Sequence, residues 1–380
     1  MGLSAEERAR YQRHLNLPEI GLSGQQRLKA TRVLVIGTGG LGCPAALYLA
    51  AAGIGTLGLV DFDRVELSNL QRQVLFASAD VGRLKVEAAR ERLLALNPDI
   101  EVRAHALTLD TDNVRQIIGE YDIVLDGSDR LSTRYLVNDA CVLLGKPLVT
   151  AAVHRFEGQA MTYIPGRGPC YRCLFPSVPE GTAASCADAG VLGVLPGVLG
   201  TLQASEAVKL ASGAGEPLVG RLLTYDALTV TFTALPVSRR GDCRACGDAA
   251  EIKAPEDSGV VCGSGGLEPA RRLSAIGLRV LLDADAGHAV PLVLIDVRES
   301  WEFATRHLPG ARNIPLGELE WRIAELAPDD APIFVCRSGG RSLAACALAR
   351  RAGITAPGHL EGGLLAWAEH VDPDFEVAFG

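Results

Sequence analysis

A glycine-rich turn between a buried strand and a helix constrains this fold more than any other feature. The apolar segment 32–37 is typical of a buried strand, and Gly37-Thr-Gly-Gly-Leu-Gly42 follows it directly. A helical stretch (42–52) and a second apolar run ending in Asp61 come next. Glycines at this spacing let phosphates approach the backbone at a helix N-terminus, and a carboxylate about 20 residues later suits ribose hydroxyls. The pattern predicts a nucleotide site in a Rossmann-like fold.

Strands and helices alternate beyond this turn. A helix is predicted at 85–96, and further strands at 121–129 and 146–153. This alternation predicts an α/β fold with a doubly wound, parallel sheet. Ligands of such sheets bind beyond the carboxyl ends of the strands, where Asp61 and Asp129 would both lie.

Composition narrows the possible partners and the compartment. The 380 residues carry a formal charge of −8, which argues against a general nucleic-acid or anionic-membrane surface. The uncharged run 33–60 contains Pro44 and many glycines, so it favours a buried strand–turn–helix–strand over a membrane span. The first residues lack the apolar stretch of a secretory signal, which predicts a reducing, cytoplasmic setting for the ten cysteines.

Charged and amide side chains gather where the predicted strands end. Positive side chains on phosphate oxyanions and a carboxylate for Mg²⁺ are what activation of an α-phosphate needs. An NAD(P)-dependent oxidoreductase is the alternative that the glycine turn alone would favour, whereas a phosphate-binding G-x-x-x-x-G-K-[ST] segment is absent from the sequence. The candidate site residues are Gly37, Gly39, Gly40, Gly42, Asp61, Asp63, Asn69, Arg72, Gln73, Lys85 and Asp129.

These segments resemble the MoeB/ThiF/HesA adenylyltransferases, relatives of the ubiquitin-activating enzymes. The similarity spans about residues 5–247, and SNLQRQ (68–73) carries it more specifically than the glycines do. It implies that the enzyme uses ATP and Mg²⁺ to adenylate the C-terminal Gly-Gly carboxylate of a ubiquitin-fold sulfur carrier. It also implies roles for single residues and a homodimer: Asp61 on the ribose, Arg72 and Lys85 on the phosphates, Asp129 at Mg²⁺, and Arg13 at the ATP of a neighbouring subunit.

Four of the cysteines form two Cys-x-x-Cys pairs. Cys170 and Cys173, with Cys243 and Cys246, could supply four thiolates to a closed tetrahedral zinc site. A redox pair and simple buried thiols are the alternatives, and the 69-residue gap makes spacing alone only moderately specific. The resemblance implies a structural zinc.

Cys186 lies in a small, polar, glycine-containing segment that predicts a loop. The resemblance places it in the crossover loop, where some relatives use a cysteine to hold the activated acyl group or a sulfur. The thiol could resolve an acyl-disulfide, and it could equally be a bystander.

The chain changes character after Cys246. We predict an adenylyltransferase domain (1–247), a linker (248–267) and a smaller α/β domain (268–380) that begins with a helix at 268–277. Segments 294–315 and 334–345 of this domain resemble a rhodanese, a sulfurtransferase. Its common glycine before the histidine is Arg306 here.

Cys336 follows a predicted strand and precedes a predicted helix, so backbone N–H groups and the helix N-terminus would face its sulfur. Arg337 and Arg341 would add positive charge and stabilise a persulfide. Cys336-x4-Arg341 is one residue shorter than the loop of cysteine phosphatases, which favours sulfur transfer. Cys346, ten residues on, is predicted to lie in the core.

Together the two domains predict one mechanism. The carrier carboxylate is adenylated, and a Cys336 persulfide, loaded by a cysteine desulfurase, converts it into a thiocarboxylate. An oxidoreductase fused to a rhodanese and a non-catalytic scaffold that binds a ubiquitin-like protein are the alternatives. The sequence does not distinguish molybdopterin, thiamine, thiolated-tRNA and cysteine pathways.

Overall fold

The computed structural model describes residues 2–177, 190–256, 271–285, 292–328 and 330–377. They fall into two compact units, the first within residues 1–178 and 190–259, and the second covering the described residues from 271 onward. In the described part of the chain, no helix has the length and apolar character needed to cross a membrane.

A single eight-stranded sheet forms the centre of the first unit. Its strands are β1 (Arg32–Ile36), β2 (Thr56–Val60), β3 (Glu101–His105), β4 (Ile123–Asp126), β5 (Leu148–His154), β6 (Glu157–Tyr163), β7 (Arg221–Asp226) and β8 (Thr231–Pro236). Their order is β3-β2-β1-β4-β5-β6-β7-β8. The first five strands pair in parallel, as predicted, and β6 to β8 extend the sheet in antiparallel fashion. Since β1 lies between β2 and β4, the chain reverses direction across the sheet at β1, where such folds bind ligands.

Helices cover both faces of this sheet. They are α1 (Ala5–Arg10), α2 (Gln12–Leu15), α3 (Gly21–Ala30), α4 (Gly42–Ala52), α5 (Lys85–Leu96), α6 (Val114–Gly119), α7 (Leu131–Leu144), α8 (Tyr171–Leu174) and α9 (Leu195–Ser212), with 3-10 turns at Leu67–Asn69 and Ser78–Asp80. Successive β1 side chains alternate between the faces: Val33 and Val35 pack in one core cluster with α4, α5 and α9, whereas Leu34 and Ile36 pack with α6 and α7. All four are buried, so the sheet is the middle layer of three.

The second unit has a five-stranded parallel sheet in the order β11-β10-β12-β13-β9. The strands are β9 (Arg271–Leu273), β10 (Leu294–Asp296), β11 (Arg312–Asn313), β12 (Ile333–Val335) and β13 (Gly358–Leu360). The helices are α10 (Ala275–Asp285), α11 (Ser300–Thr305), α12 (Leu316–Arg322), α13 (Gly340–Arg351) and α14 (Gly363–His370), with a 3-10 turn at Ile323–Glu325.

The predicted start of this unit needs one correction. The sequence predicts a helix over 268–277, but Arg271–Leu273 form an edge strand parallel to Gly358–Leu360, and the helix begins at Ala275. The pairing partner lies more than 80 residues further along the chain. Three residues are too few for a strand periodicity, so tertiary pairing decides their structure.

Candidate functional site

The glycine loop joins β1 to α4, and close contacts hold both of its ends. Gly37 has a φ of +84°, and a Cβ on it would lie 3.0 Å from the carbonyl oxygen of Gly127. A Cβ on Gly42 would overlap the Gly37 carbonyl oxygen at 1.8 Å. Around Gly39 the nearest atom to a Cβ would be Gln73 Nε2, 3.8 Å away. The glycines at the ends therefore serve packing, whereas the space beside Gly39 is open and leaves the backbone there accessible to a ligand.

Asp61, at the end of β2, holds this loop in place. Its Oδ2 accepts hydrogen bonds from Thr38 N (2.8 Å) and Thr38 Oγ1 (2.9 Å), and its Oδ1 accepts one from Asp63 N (2.9 Å). The carboxylate is buried. Asp61 is thus at the predicted place beside the glycines, and its hydrogen bonds join the loops that follow β1 and β2.

Lys85 is drawn to the same edge of the sheet as the first residue of α5. Its backbone N donates to the Asp63 carbonyl oxygen (3.0 Å), and its Nζ lies 2.9 Å from Asp63 Oδ2. The side chain is buried, whereas Asp63 is half-exposed. The structure therefore brings a buried cation to the loop that also carries Asp61, as the sequence predicts.

The segment 69–73 lies over the glycines. Arg72 Nη1 donates to Ser68 O (2.9 Å), and Asn69 Oδ1 accepts from Glu66 N (3.2 Å). A Cβ on Gly40 would lie 3.5 Å from Arg72 Cγ. Gln73 is buried, and its Oε1 has no hydrogen-bond partner within the described ranges. A buried acceptor without a partner is costly in a folded chain, so this oxygen fits a site completed by a ligand.

Asp129 lies in the loop that follows β4, next to the glycine loop. Gly127 N donates a hydrogen bond to Ile36 O (2.9 Å), directly before the glycine loop, and the guanidinium of Arg130 lies 5.0 Å from the ring centroid of Phe62, which separates Asp61 from Asp63. The Asp129 side chain is exposed. Segments far apart in the sequence therefore converge at one edge of the sheet.

Two predicted residues are not part of this cluster. Arg13 is exposed on α2, and no side-chain hydrogen bond or ion pair found in the described ranges links it to the glycine loop. Cys186 lies outside the described residues.

The four paired cysteines meet at one point in the same unit. The sulfurs of Cys170, Cys173, Cys243 and Cys246 all lie within 4.8 Å of one another, with Cys170–Cys243 at 3.7 Å and Cys173–Cys246 at 3.4 Å. Four thiolates around Zn²⁺ at about 2.3 Å would be about 3.8 Å apart, so the donor set and spacing fit that ion. Hydrogen bonds with the neighbouring thiols and burial raise the pKa of Cys170.

The cysteine cluster is tied to α7 by two residues that the sequence does not predict. Asn138 Oδ1 accepts from Tyr171 N (2.8 Å), and Asp139 forms two hydrogen bonds of 2.7 Å with the guanidinium of Arg172. Asn138 and Asp139 are fully buried. The sequence NDAC offers no local signal for these bonds, because both partners lie 33 residues away.

Cys336 in the second unit lies between β12 and α13, as predicted. Its side chain is fully buried, and its sulfur accepts hydrogen bonds from Gly339 N (3.1 Å) and Ser342 N (3.3 Å). The Ser342 hydroxyl, 3.5 Å from the sulfur, donates to Gly339 O (3.0 Å). Backbone N–H groups aimed at one atom favour an anion there, as a thiolate or persulfide requires.

Arg341, at the start of α13, is paired with a buried carboxylate. Its guanidinium forms two hydrogen bonds with Glu302, of 2.6 and 2.9 Å, and both side chains are buried. Burial favours a higher pKa for Glu302, but the bonds from Arg341 and Glu299 N outweigh it and lower that pKa overall. The charge of Arg341 is therefore balanced by Glu302.

The sequence also singles out Arg306 and Cys346 in this unit. Arg306, in place of the usual glycine, donates to Asp374 O (2.5 Å), and its guanidinium lies 4.8 Å from the ring centroid of Phe375. The departure from the rhodanese pattern thus ties the α11 end to the C-terminal segment and leaves the Cys336 loop untouched. Cys346 is buried in the core, as predicted.

Comparison with known proteins decides what these sites belong to. Residues 11–245 match the ThiF family, and residues 280–370 match the rhodanese-like domain. The chain belongs to the ThiF family. It is 44% identical over 380 residues to the probable adenylyltransferase/sulfurtransferase MoeZ of Mycobacterium tuberculosis, covering 98% of this chain and 95% of that protein. It is 45% identical over 405 residues to the adenylyltransferase and sulfurtransferase MOCS3 of Bos taurus, covering 98% and 88%.

Solved structures agree with this assignment. Escherichia coli MccB with ATP is similar to this ThiF-family chain with a TM-score of 0.56 and 27% identity, over 64% of this chain and 75% of that one. The predicted α/β fold and the predicted family are confirmed. The chain is an adenylyltransferase and a sulfurtransferase, which decides against the oxidoreductase and the scaffold.

Proposed function

We propose that the two units carry out consecutive steps on one substrate, a ubiquitin-fold sulfur carrier that ends in Gly-Gly. The first unit adenylates the carrier carboxylate, and the second supplies the sulfur that turns it into a thiocarboxylate. The geometry of the Cys336 sulfur supports this proposal most directly, because two backbone N–H groups donate to it. The first unit of the same chain gathers the residues that are predicted to bind the nucleotide.

In the adenylation step, a carrier carboxylate oxygen attacks the α-phosphorus of ATP and pyrophosphate leaves. The glycine loop binds the phosphates through its backbone, and Lys85 and Arg72 stabilise the charge that develops on their oxygens. Gln73, with its buried unpartnered oxygen, and Asp61 complete the contacts to the nucleotide. Asp129 would hold Mg²⁺, which neutralises charge on the phosphates when bound.

In the sulfur-transfer step, the outer sulfur of a Cys336 persulfide attacks the activated carbonyl and AMP leaves. The product is an acyl-disulfide between the carrier and Cys336. We assign its release to Cys186: its thiolate attacks the Cys336 sulfur, the sulfur–sulfur bond breaks, and the carrier leaves as a thiocarboxylate. The resulting Cys186–Cys336 disulfide is reduced by a cellular dithiol.

The remaining assignments follow from the donor sets and the family. The cysteine cluster would hold Zn²⁺, which with four protein ligands stabilises the fold and leaves no position for catalysis. A cysteine desulfurase would load Cys336 in the cytoplasm, where thiols stay reduced. Arg13, exposed on α2, would serve the nucleotide site of a partner subunit in a homodimer.

Carrier-dependent exchange of pyrophosphate into ATP tests the first step. We expect exchange with one carrier from a panel of purified ubiquitin-fold carriers, and none when its last glycine is removed; that carrier also names the pathway. Lys85→Ala should lower the exchange rate by about 100-fold or more, since each 1.36 kcal/mol of transition-state stabilisation is tenfold. Lys29→Ala, which breaks a comparable ion pair with Glu7, is the matched control and should keep the rate. No exchange with any carrier would refute the proposal.

Thiocarboxylate formation tests the second step. Cys336→Ala should keep carrier-dependent pyrophosphate release and abolish both thiosulfate:cyanide sulfur transfer and thiocarboxylate. Cys346→Ala removes another buried thiol of the same unit, and it should retain both activities. Normal thiocarboxylate formation by Cys336→Ala would show that the persulfide is carried elsewhere.

A further inference from the structure

Arg134, on α7, is a buried arginine that the proposed chemistry has not used. Its Nη1 donates to Ala151 O (2.7 Å) and faces Thr150 Oγ1 (3.5 Å), and its Nη2 donates to Ser128 O (2.5 Å). Only 5% of the residue is exposed, and none of the ion pairs found in the described ranges includes it. Burying a guanidinium costs free energy unless its N–H groups donate to acceptors. Any movement of the acceptor oxygens would leave the guanidinium unsatisfied, so these bonds hold the acceptors in place.

The partner that matters is Ser128, one residue before Asp129. Asp126 Oδ1 accepts from Ser128 N (3.0 Å) and Ser128 Oγ (2.6 Å). The carbonyl of Ser128 is bound by Arg134. Every polar group of Ser128 is therefore held by a buried charged side chain, and the backbone that enters Asp129 has little freedom.

These bonds form a closed arrangement across three elements. Thr150 Oγ1, on β5, lies 3.4 Å from Asp126 Oδ2, at the end of β4, and 3.5 Å from Arg134 Nη1 on α7. Gly127, between Asp126 and Ser128, donates its backbone N–H to Ile36 O (2.9 Å), directly before the glycine loop. The position of Asp129 relative to the glycine loop is thus set by the packing of α7 on β4 and β5.

We infer that Arg134 is a positioning residue for nucleotide activation, because it holds the Ser128 carbonyl and thereby places the exposed Asp129 carboxylate for Mg²⁺. The inference rests on the proposed function, in which Asp129 holds that ion. Residues that orient a metal-binding carboxylate contribute through the geometry of the loop, without touching the substrate.

Isothermal titration calorimetry with ATP, in Mg²⁺ and in EDTA, separates positioning from general stability. Arg134→Met should weaken binding of ATP in Mg²⁺ by about 10- to 100-fold, the usual effect of losing a residue that orients a metal ligand. Binding in EDTA, which depends on the glycine loop and the cations, should stay unchanged. Arg134→Lys keeps a donor for one carbonyl and should recover part of the loss, which also covers the case in which the methionine variant does not fold.

Arg172→Met is the matched control. Arg172 is about as buried and binds Asp139 on the same helix, and none of its hydrogen bonds or ion pairs found among the described residues reaches the Ser128 loop. This variant should melt at a lower temperature and bind ATP in Mg²⁺ like the wild type. Equal loss of binding in Mg²⁺ and in EDTA by Arg134→Met, or wild-type binding in both, would overturn the inference.

Asp129→Asn separates this inference from the function on which it rests. If Asp129→Asn binds ATP in Mg²⁺ as the wild type does, the proposed role of Asp129 fails. If Asp129→Asn loses the Mg²⁺ effect and Arg134→Met keeps it, only the role of Arg134 fails.

Discussion

At the scale of single residues, the loop around Cys336 combines what the sequence predicts with what it does not. Cys336 and Arg341 could be predicted because they lie in one short segment between a strand and a helix. Glu302 could not, because it lies 39 residues before Arg341 and is one acidic residue among 45. The ion pair is a product of tertiary packing, and it balances the charge of Arg341.

Breaking this pair should destabilise the second unit. Glu302→Ala leaves Arg341 buried without its carboxylate, and loss of one partner of a buried pair typically costs about 3–5 kcal/mol. Urea unfolding followed by tryptophan fluorescence measures this in the intact chain, because all three tryptophans, at 301, 321 and 367, lie in the second unit.

The pair of Glu318 with Arg322, whose side chains are 45% and 34% exposed, is the control for Glu302. Glu318→Ala removes a carboxylate from the same unit, and solvent screens its charge, so the urea midpoint should not move measurably. Equal midpoints for the two variants would show that the buried pair contributes no stability.

At the scale of elements, β13 buries a titratable group in the middle of a sheet. His359 is 5% exposed, and neither ring nitrogen has a hydrogen-bond partner in the parts of the chain that the structure describes. Burial lowers its pKa below the ordinary 6.5; Arg272 lowers it further, and Glu361 opposes the shift. β13 pairs with β12, the strand that leads to Cys336, so its stability bears on the active loop.

The second unit should therefore lose stability as the pH falls below about 6.5. Below this pH the unfolded chain binds a proton on His359 that the folded chain does not bind. The contribution of the buried, neutral His359 to the free energy of unfolding is therefore complete above pH 6.5 and declines below it. Urea midpoints read from tryptophan fluorescence between pH 7.5 and 5.5 should fall more steeply for the wild type than for His359→Leu. His370→Gln, at an exposed position, should follow the wild type. Parallel slopes for all three chains would contradict this assignment.

At the scale of the whole molecule, the sequence predicts the residues that parallel strands bring together at one edge of the sheet. Asp61 and Asp129 are distant in the chain, but they follow strand ends that share this edge, so their place beside the glycine loop follows from the topology. Lys85 reaches the same edge as the first residue of α5. The sequence does not predict the antiparallel strands β6 to β8, nor the bonds by which Asn138 and Asp139 hold the segment around the cysteines. Their partners are set by packing between elements that share no common sequence period.

The cysteine cluster should stabilise the first unit without affecting the second, because each unit has its own core. Cys173→Ser removes one of the four sulfurs and should abolish the stoichiometric zinc content measured by atomic spectroscopy. It should also lower the melting midpoint of the first unit, followed by far-UV circular dichroism, by about 10 °C or more. The loss of the metal costs a few kcal/mol of unfolding free energy, and each kcal/mol corresponds to about 2–4 °C in a domain of this size.

The tryptophan transition of the second unit should keep its midpoint in the same Cys173→Ser sample, which separates loss of zinc from general misfolding. Cys141→Ala is the matched control: this thiol is buried in the same core cluster as the four cysteines and lies outside their group. It should retain zinc and lower the midpoint of the first unit by only a few degrees, as expected for a small cavity. Unchanged zinc content in Cys173→Ser would mean that the ion is bound elsewhere, and the four sulfurs would then be buried thiols that only pack together.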